Sequence, residues 1–179
     1  MTQDSATTPV VMAIVIMGVA GCGKSTLGAA CAQRFGWHLI EGDEYHSPDA
    51  VTKMREGIPL TDKDRAGWLA RLGALLQQGA SKHDGIVLTC SALRQRYRDA
   101  LRAAVPDLHF VFLDIDQPVA EARVASRSDH LFPASLVASQ FATLESPVGE
   151  PRVLRVSATD ALETLVDAVD RWLNPAVDR

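Results

Sequence analysis

Five short stretches of the chain, 10–17, 37–40, 86–90, 109–113 and 153–156, are apolar at nearly every position. A strand covered on both faces has that pattern, whereas a half-exposed strand alternates apolar and polar. Between and after them, residues 24–35, 65–78, 92–104, 119–127, 134–144 and 161–173 carry helical patterns, with apolar positions spaced by three and four. Strand followed by helix, repeated, predicts an α/β fold: a parallel sheet wrapped by helices, with 10–179 forming one domain. The polar residues 1–9 are expected to form a flexible tail.

Two segments break the alternation. The first, 45–64, is polar and interrupted by Pro48, Gly57 and Pro59; the second, "RSDHLFP" at 127–133, separates two helices with charge and a proline. Long insertions in a compact domain are frequently substrate sites or lids. Each segment reads as one of these or as a solvated surface connection, and 44–64 and 123–133 are the expected substrate insertion and lid.

The stretch "GVAGCGKST", residues 18–26, follows directly on the first apolar run. Gly18, Gly23, Lys24 and Ser25 satisfy the phosphate-loop spacing. Glycines let backbone N–H groups converge on an anion, and the helix beginning at Lys24 points its positive end at the same place. Gly18, Val19, Ala20, Gly21, Cys22, Gly23, Lys24, Ser25 and Thr26 are therefore assigned to a nucleoside triphosphate, ATP. Lys24 reaches its β/γ-phosphates, and the Ser25 hydroxyl ligates Mg²⁺. Cys22 reads as a small residue filling the turn.

The rest of the chain decides where the phosphate goes. No guanine-reading N-K-x-D occurs, and 179 residues are too few for a phosphate-loop motor. A phosphotransferase needs a carboxylate near the γ-phosphate and mobile cations to offset the transferred charge. "IEGDEYH" places Glu41 and Asp43 at the carboxyl end of the second strand, where parallel sheets bind ligands. Asp43 is the expected general base and a neighbour of Mg²⁺, reached through water.

Further on, Asp62 and Asp64 read as a helix cap or as site carboxylates, and Arg65 suits a bidentate hold on a carboxylate. Arg94 and Arg98, four apart, would share a helix face, serving an anion or pairing with surface acids. Trp68 and Trp172 read as core. Arg123 and Arg127, also four apart and followed by His130 and Phe132, read as a lid arriving over the triphosphate.

Composition narrows the partners. A formal charge of −4 without a basic tract argues against nucleic acid. Three cysteines without close pairing argue against disulfides and zinc and suit a reducing, cytoplasmic setting. No apolar run reaches the ~18 residues of a membrane helix, and the polar, acidic start is unlike a signal peptide.

Together, "GVAGCGKST", "EGDEYHSPDAVTKMREGIPLTDKDRAGWL", "CSALRQRYRDALR" and "DHLFPASLVASQFATLESP" resemble bacterial gluconate kinase (gluconokinase) over about residues 11–156. The resemblance implies a three-layer phosphate-loop kinase fold, a five-stranded parallel sheet with a mobile lid, related to shikimate kinases. It implies transfer of the γ-phosphoryl group of ATP to the 6-hydroxyl of D-gluconate, and a homodimer. In its terms Asp43 positions the acceptor and Arg65 holds the substrate carboxylate. His46, Lys53 and Arg94 contact the sugar acid, and Arg123 and Arg127 are lid arginines. Glu41 departs from a usual aspartate, Arg94 from a frequent lysine, and Gly67 from a frequent proline. The rival readings are a kinase of another small hydroxy acid, such as shikimate, and a nucleotide-binding module without transfer.

Overall fold

Strand β1 (Ala13–Met17) is buried at every position. Ile14 and Ile16 enter one apolar cluster, while Ala13, Val15 and Met17 enter another. Successive strand side chains point to opposite faces, so an unbroken apolar run requires cover on both. The computed structural model describes residues 13–82, 84–127 and 133–175. Within them, β2 (His38–Glu41), β3 (Ile86–Thr89), β4 (His109–Asp114) and β5 (Val153–Ser157) join β1 in one sheet of order β2-β3-β1-β4-β5. Every pairing is parallel, with Val15 set against Leu88 on one side and Phe110 on the other.

Seven helices are described: α1 (Lys24–Phe35), α2 (Pro48–Arg55), α3 (Asp62–Ser81), α4 (Gln95–Ala104), α5 (Gln117–Ala125), α6 (Ser135–Thr143) and α7 (Leu162–Leu173). Leu27 of α1, Val124 of α5, Val137 of α6 and Val169 of α7 close the first cluster. Leu72 and Leu76 of α3 with Tyr97 and Leu101 of α4 close the second. The result is three layers, helix–sheet–helix. Strand order reverses at β1, and such sheets bind ligands in the crevice outside the carboxyl end of the reversal.

Three boundaries differ from expectation. Segment 45–64 contains a 3-10 turn (Gly42–Tyr45 reaches into it) and α2. Pro48, which reads as a breaker, instead starts α2: it occupies the first turn, and Ser47 caps the helix by accepting from the Ala50 N–H at 3.1 Å. Helix α3 begins at Asp62, and its cap is Thr61, neither Asp62 nor Asp64; Thr61 and Asp64 form a reciprocal capping box. Helix α4 starts at Gln95 instead of residue 92, because Ala92 holds a left-handed φ of 44°.

That strained residue is pinned by Arg98, whose side chain is fully buried. Its Nη1 donates to the Ala92 carbonyl at 2.7 Å and its Nη2 to the Glu145 carbonyl at 3.0 Å. Nε and Nη2 grip Glu150 at 3.0 Å and 2.5 Å, and Arg102 donates to the same carboxylate at 2.9 Å. Arg94, at the start of the helix, does not share this environment. Of the two readings for Arg98, pairing with an acid is the one realised, inside the protein and not on its surface.

Candidate active site

The loop after β1 turns through Gly18, Gly21 and Gly23, all at positive φ. At Gly21 (φ +83°) an added Cβ would lie 2.7 Å from the Ala120 carbonyl, so only glycine lets α5 sit directly on the loop. Helix α1 has no side-chain cap and no acid in its first turn. Its leading N–H groups therefore remain available, the condition for an anion site at a helix N-terminus. Lys24 folds back, its Nζ donating to the Gly18 and Val19 carbonyls at 3.0 Å each.

Next to the loop, the Ser25 hydroxyl donates to Glu41 Oε2 at 3.0 Å, and the Thr89 hydroxyl donates to the same oxygen at 2.6 Å. Thr89 also accepts from the Gly42 N–H at 3.3 Å. The ends of β2 and β3 approach so closely that a Cβ on Gly42 would lie 2.2 Å from the Thr89 carbonyl. These contacts set where the chain leaves β2 and enters the turn carrying Asp43.

Asp43 and His46 face each other across that turn, Nε2 to Oδ1 at 3.6 Å, an electrostatic contact longer than a hydrogen bond. The His46 ring stacks on Trp68 with centroids 4.1 Å apart, and Trp68 Nε1 donates to the Gly42 carbonyl at 2.8 Å. Trp68 is thus core, as read, and also the platform for a site residue. The Asp43 side chain is 67% exposed, open to the cleft. The surrounding protein pushes its pKa up, but His46 and the charges of Lys24 and Arg127 win, and it falls below the ordinary 3.8.

One cleft joins these parts. Gly21, Gly23, Lys24 and Ser25 form its floor, with Asp43, His46 and Arg65 on one wall and Arg127 at the rim. Arg65 is buried, lies over the Tyr97 ring with its guanidinium carbon 5.6 Å from the centroid, and is pulled down in pKa by that burial. Neither Arg65 Nε nor His46 Nδ1 has a hydrogen-bond partner among the described residues. Buried polar atoms are rarely left unpaired, so two on one cleft wall point to a polar ligand.

Other expected site residues sit differently. Lys53 is tied to Asp64 at 2.8 Å and lies off the cleft wall; with Thr61 this holds the Asp64 carboxyl down at about 2. Arg94 is not on the cleft lining; it lies near enough to Arg65 for the two charges to repel, 3.9 Å from Asp62, with its Nε unpartnered among the described residues. Arg123 forks onto two backbone carbonyls, Gly21 at 3.4 Å and Ala158 at 3.1 Å, bracing the loop from below. Cys22 is buried as a turn filler. His130 and Phe132 lie outside the described residues, as do 1–12. Helix α6 also lines the cleft, through Ser139, Gln140 and Thr143, which are not among the expected site residues. Their spacing of one and three along an apolar helix was the available signal.

The donor set suits Mg²⁺. Among the described residues no three His, Cys, Asp or Glu side chains gather to cage an ion. Instead Ser25 and nearby carboxylates offer hard oxygens beside the phosphate nest, and Mg²⁺ is usually held that way, with substrate phosphates and water.

Residues 14–150 match the family described as an AAA domain. A gluconokinase of Gluconobacter oxydans (strain 621H) is 42% identical over 158 residues, covering 88% of this chain and 89% of that one. The crystal structure of a gluconokinase from Sinorhizobium meliloti 1021 superposes with a TM-score of 0.83 at 41% identity, covering 94% of each chain. An unliganded sugar kinase from Janibacter sp. HTCC2649 superposes at 0.87 with 37% identity, covering 93% of this chain and 96% of that one. With a phosphate nest facing a carboxylate and a buried arginine, and with relatives this close over nearly the whole length, the chain belongs to the gluconokinase family of phosphate-loop kinases.

Proposed function

We propose that the protein transfers the γ-phosphoryl group of ATP to the 6-hydroxyl of D-gluconate, giving 6-phosphogluconate and ADP. The observation that carries this reading is Arg65: a buried guanidinium with an unpartnered Nε, in the same cleft as Asp43 and the phosphate nest. A small acid anchored by its carboxylate at Arg65 would present its far hydroxyl to Asp43. His46 and Arg94 take hydroxyl and carboxylate contacts, and Lys53 joins them on leaving Asp64.

The reaction is an in-line displacement. The substrate oxygen bonds to the γ-phosphorus as the bond to the β–γ bridging oxygen breaks, and the hydroxyl proton passes to Asp43. In a loose transition state that proton leaves late, so a weakly basic carboxylate suffices. Lys24 leaves the Gly18 and Val19 carbonyls to meet the β/γ-phosphates, Arg127 closes from the rim, and Arg123 steadies the loop. Ser25, with Asp43 through water, would hold Mg²⁺ beside the phosphates, where it would supply further charge compensation. A homodimer and a cytoplasmic setting complete the reading on the family resemblance; among the described residues no helix is long and apolar enough to cross a membrane.

The test is acceptor-dependent ADP release with Mg-ATP. A response to D-gluconate and not to shikimate is expected. A response to shikimate alone would move the substrate, and no response to any hydroxy acid would leave a binding module. The Arg65→Ala variant is expected to raise the gluconate KM on the order of 100-fold, since a charged hydrogen-bonded anchor is lost, while kcat changes little. An unchanged KM would remove the carboxylate clamp.

A further inference from the structure

A side chain of helix α6 is hydrogen-bonded to the phosphate loop. Gln140 Oε1 accepts from the Ala20 N–H at 2.8 Å, across 120 residues of sequence. The loop amide is a donor only, so the oxygen end of the carboxamide must face it, and the Nε2 end must face away. Among the described residues nothing accepts from Nε2. Gln140 lines the cleft with Lys24, Asp43 and Arg127, and Lys24 Nζ lies against the Gly18 and Val19 carbonyls, immediately before Ala20. The two N–H donors of Nε2 are thus held among these cleft residues, where the charge of the transferring group gathers, on a helix packed against α5, which leads directly into Arg127.

We propose that Gln140 is a catalytic residue: anchored to the loop by Oε1, it donates from Nε2 to an oxygen of the γ-phosphoryl group. The inference rests on the phosphotransferase reading above. A neutral donor fits this position well, because it stabilises phosphoryl oxygens without pairing with Asp43, as a further cation in the cleft would.

The test separates donation to phosphate from simple bracing of the loop. Affinities for ADP and for an ATP analogue with a non-hydrolysable β–γ bridge are measured by calorimetry with Mg²⁺, in the wild type and in Gln140→Leu and Gln140→Ala. Gln140 is only half-buried, so either variant tests the role without disturbing the core. Donation predicts that the preference for the ATP analogue over ADP falls about tenfold in both variants while ADP affinity holds. It also predicts that kcat falls on the order of 100-fold, as for loss of one preorganised donor. An unchanged preference, whether both affinities fall together or neither moves, would overturn the proposal. The affinity ratio needs no acceptor, so it decides Gln140 even if wild-type ADP release refutes the substrate assignment.

Discussion

Replacing Asp43 with asparagine is expected to lower kcat by roughly 10²–10⁴-fold, the usual contribution of a positioned acid–base group. Affinity for ATP is expected to hold within about twofold, because Asp43 stands beyond the phosphate nest and the loop amides, Lys24 and Ser25 are untouched. Asparagine keeps the size and one hydrogen-bond acceptor while losing the charge and the proton-accepting oxygen, so the loss falls on the chemical step. The pH dependence follows from the direction of the shift. His46, Lys24 and Arg127 hold the Asp43 pKa below 3.8, so the carboxylate of the free enzyme stays ionised through neutrality. The wild-type kcat/KM profile, which reports the free enzyme, therefore carries no Asp43 limb through neutrality. Steady-state rates of both proteins between pH 5 and 8 check this; an asparagine variant of full activity would sink the role.

The second large effect is on stability. Glu150→Ala leaves the fully buried Arg98 guanidinium with two backbone carbonyls and no counter-charge. Removing one partner of a buried ion pair costs roughly 3–5 kcal/mol, since the remaining charge is uncompensated. For a chain of this size that corresponds to a Tm lower by roughly 6–20 °C, read by calorimetry or urea unfolding at pH 7. The sign with pH is equally definite. Burial pushes the Glu150 pKa up, but Arg98 and Arg102 overcome it and hold it below 4.5. The carboxylate's contribution is thus complete above the unfolded pKa and is lost as pH falls through the folded one. The gap between wild type and variant is expected to narrow in acid. A loss under about 1 kcal/mol at pH 7 would mean the pair is offset by its own desolvation. The clamp also bears on the site, because Arg98 fixes Ala92 in its left-handed turn beside Ser91, which lines the cleft.

The sequence by itself determined the layers and the phosphate nest. Doubly covered strands leave continuous apolar runs, helices leave a three-to-four spacing, and the nest is made of consecutive residues whose glycines are dictated locally. The bounds of α1, Lys24–Phe35, follow from Gly23 and Gly36, both left-handed, one at each end. Local signals were also enough for the α2 and α3 caps, although Pro48 reads equally as a start or a stop until Ser47 is seen to accept from Ala50. What only the tertiary structure decided is which charges face one another. Arg65 and Arg98 are both arginines near a site motif, yet one keeps an unpartnered Nε in the cleft and the other is spent on Glu150, 52 residues away. Gln140 gains its place only because α6 lies over a loop 120 residues earlier. Such pairings depend on how elements dock, and docking is set by the whole core, so no spacing along the chain encodes them.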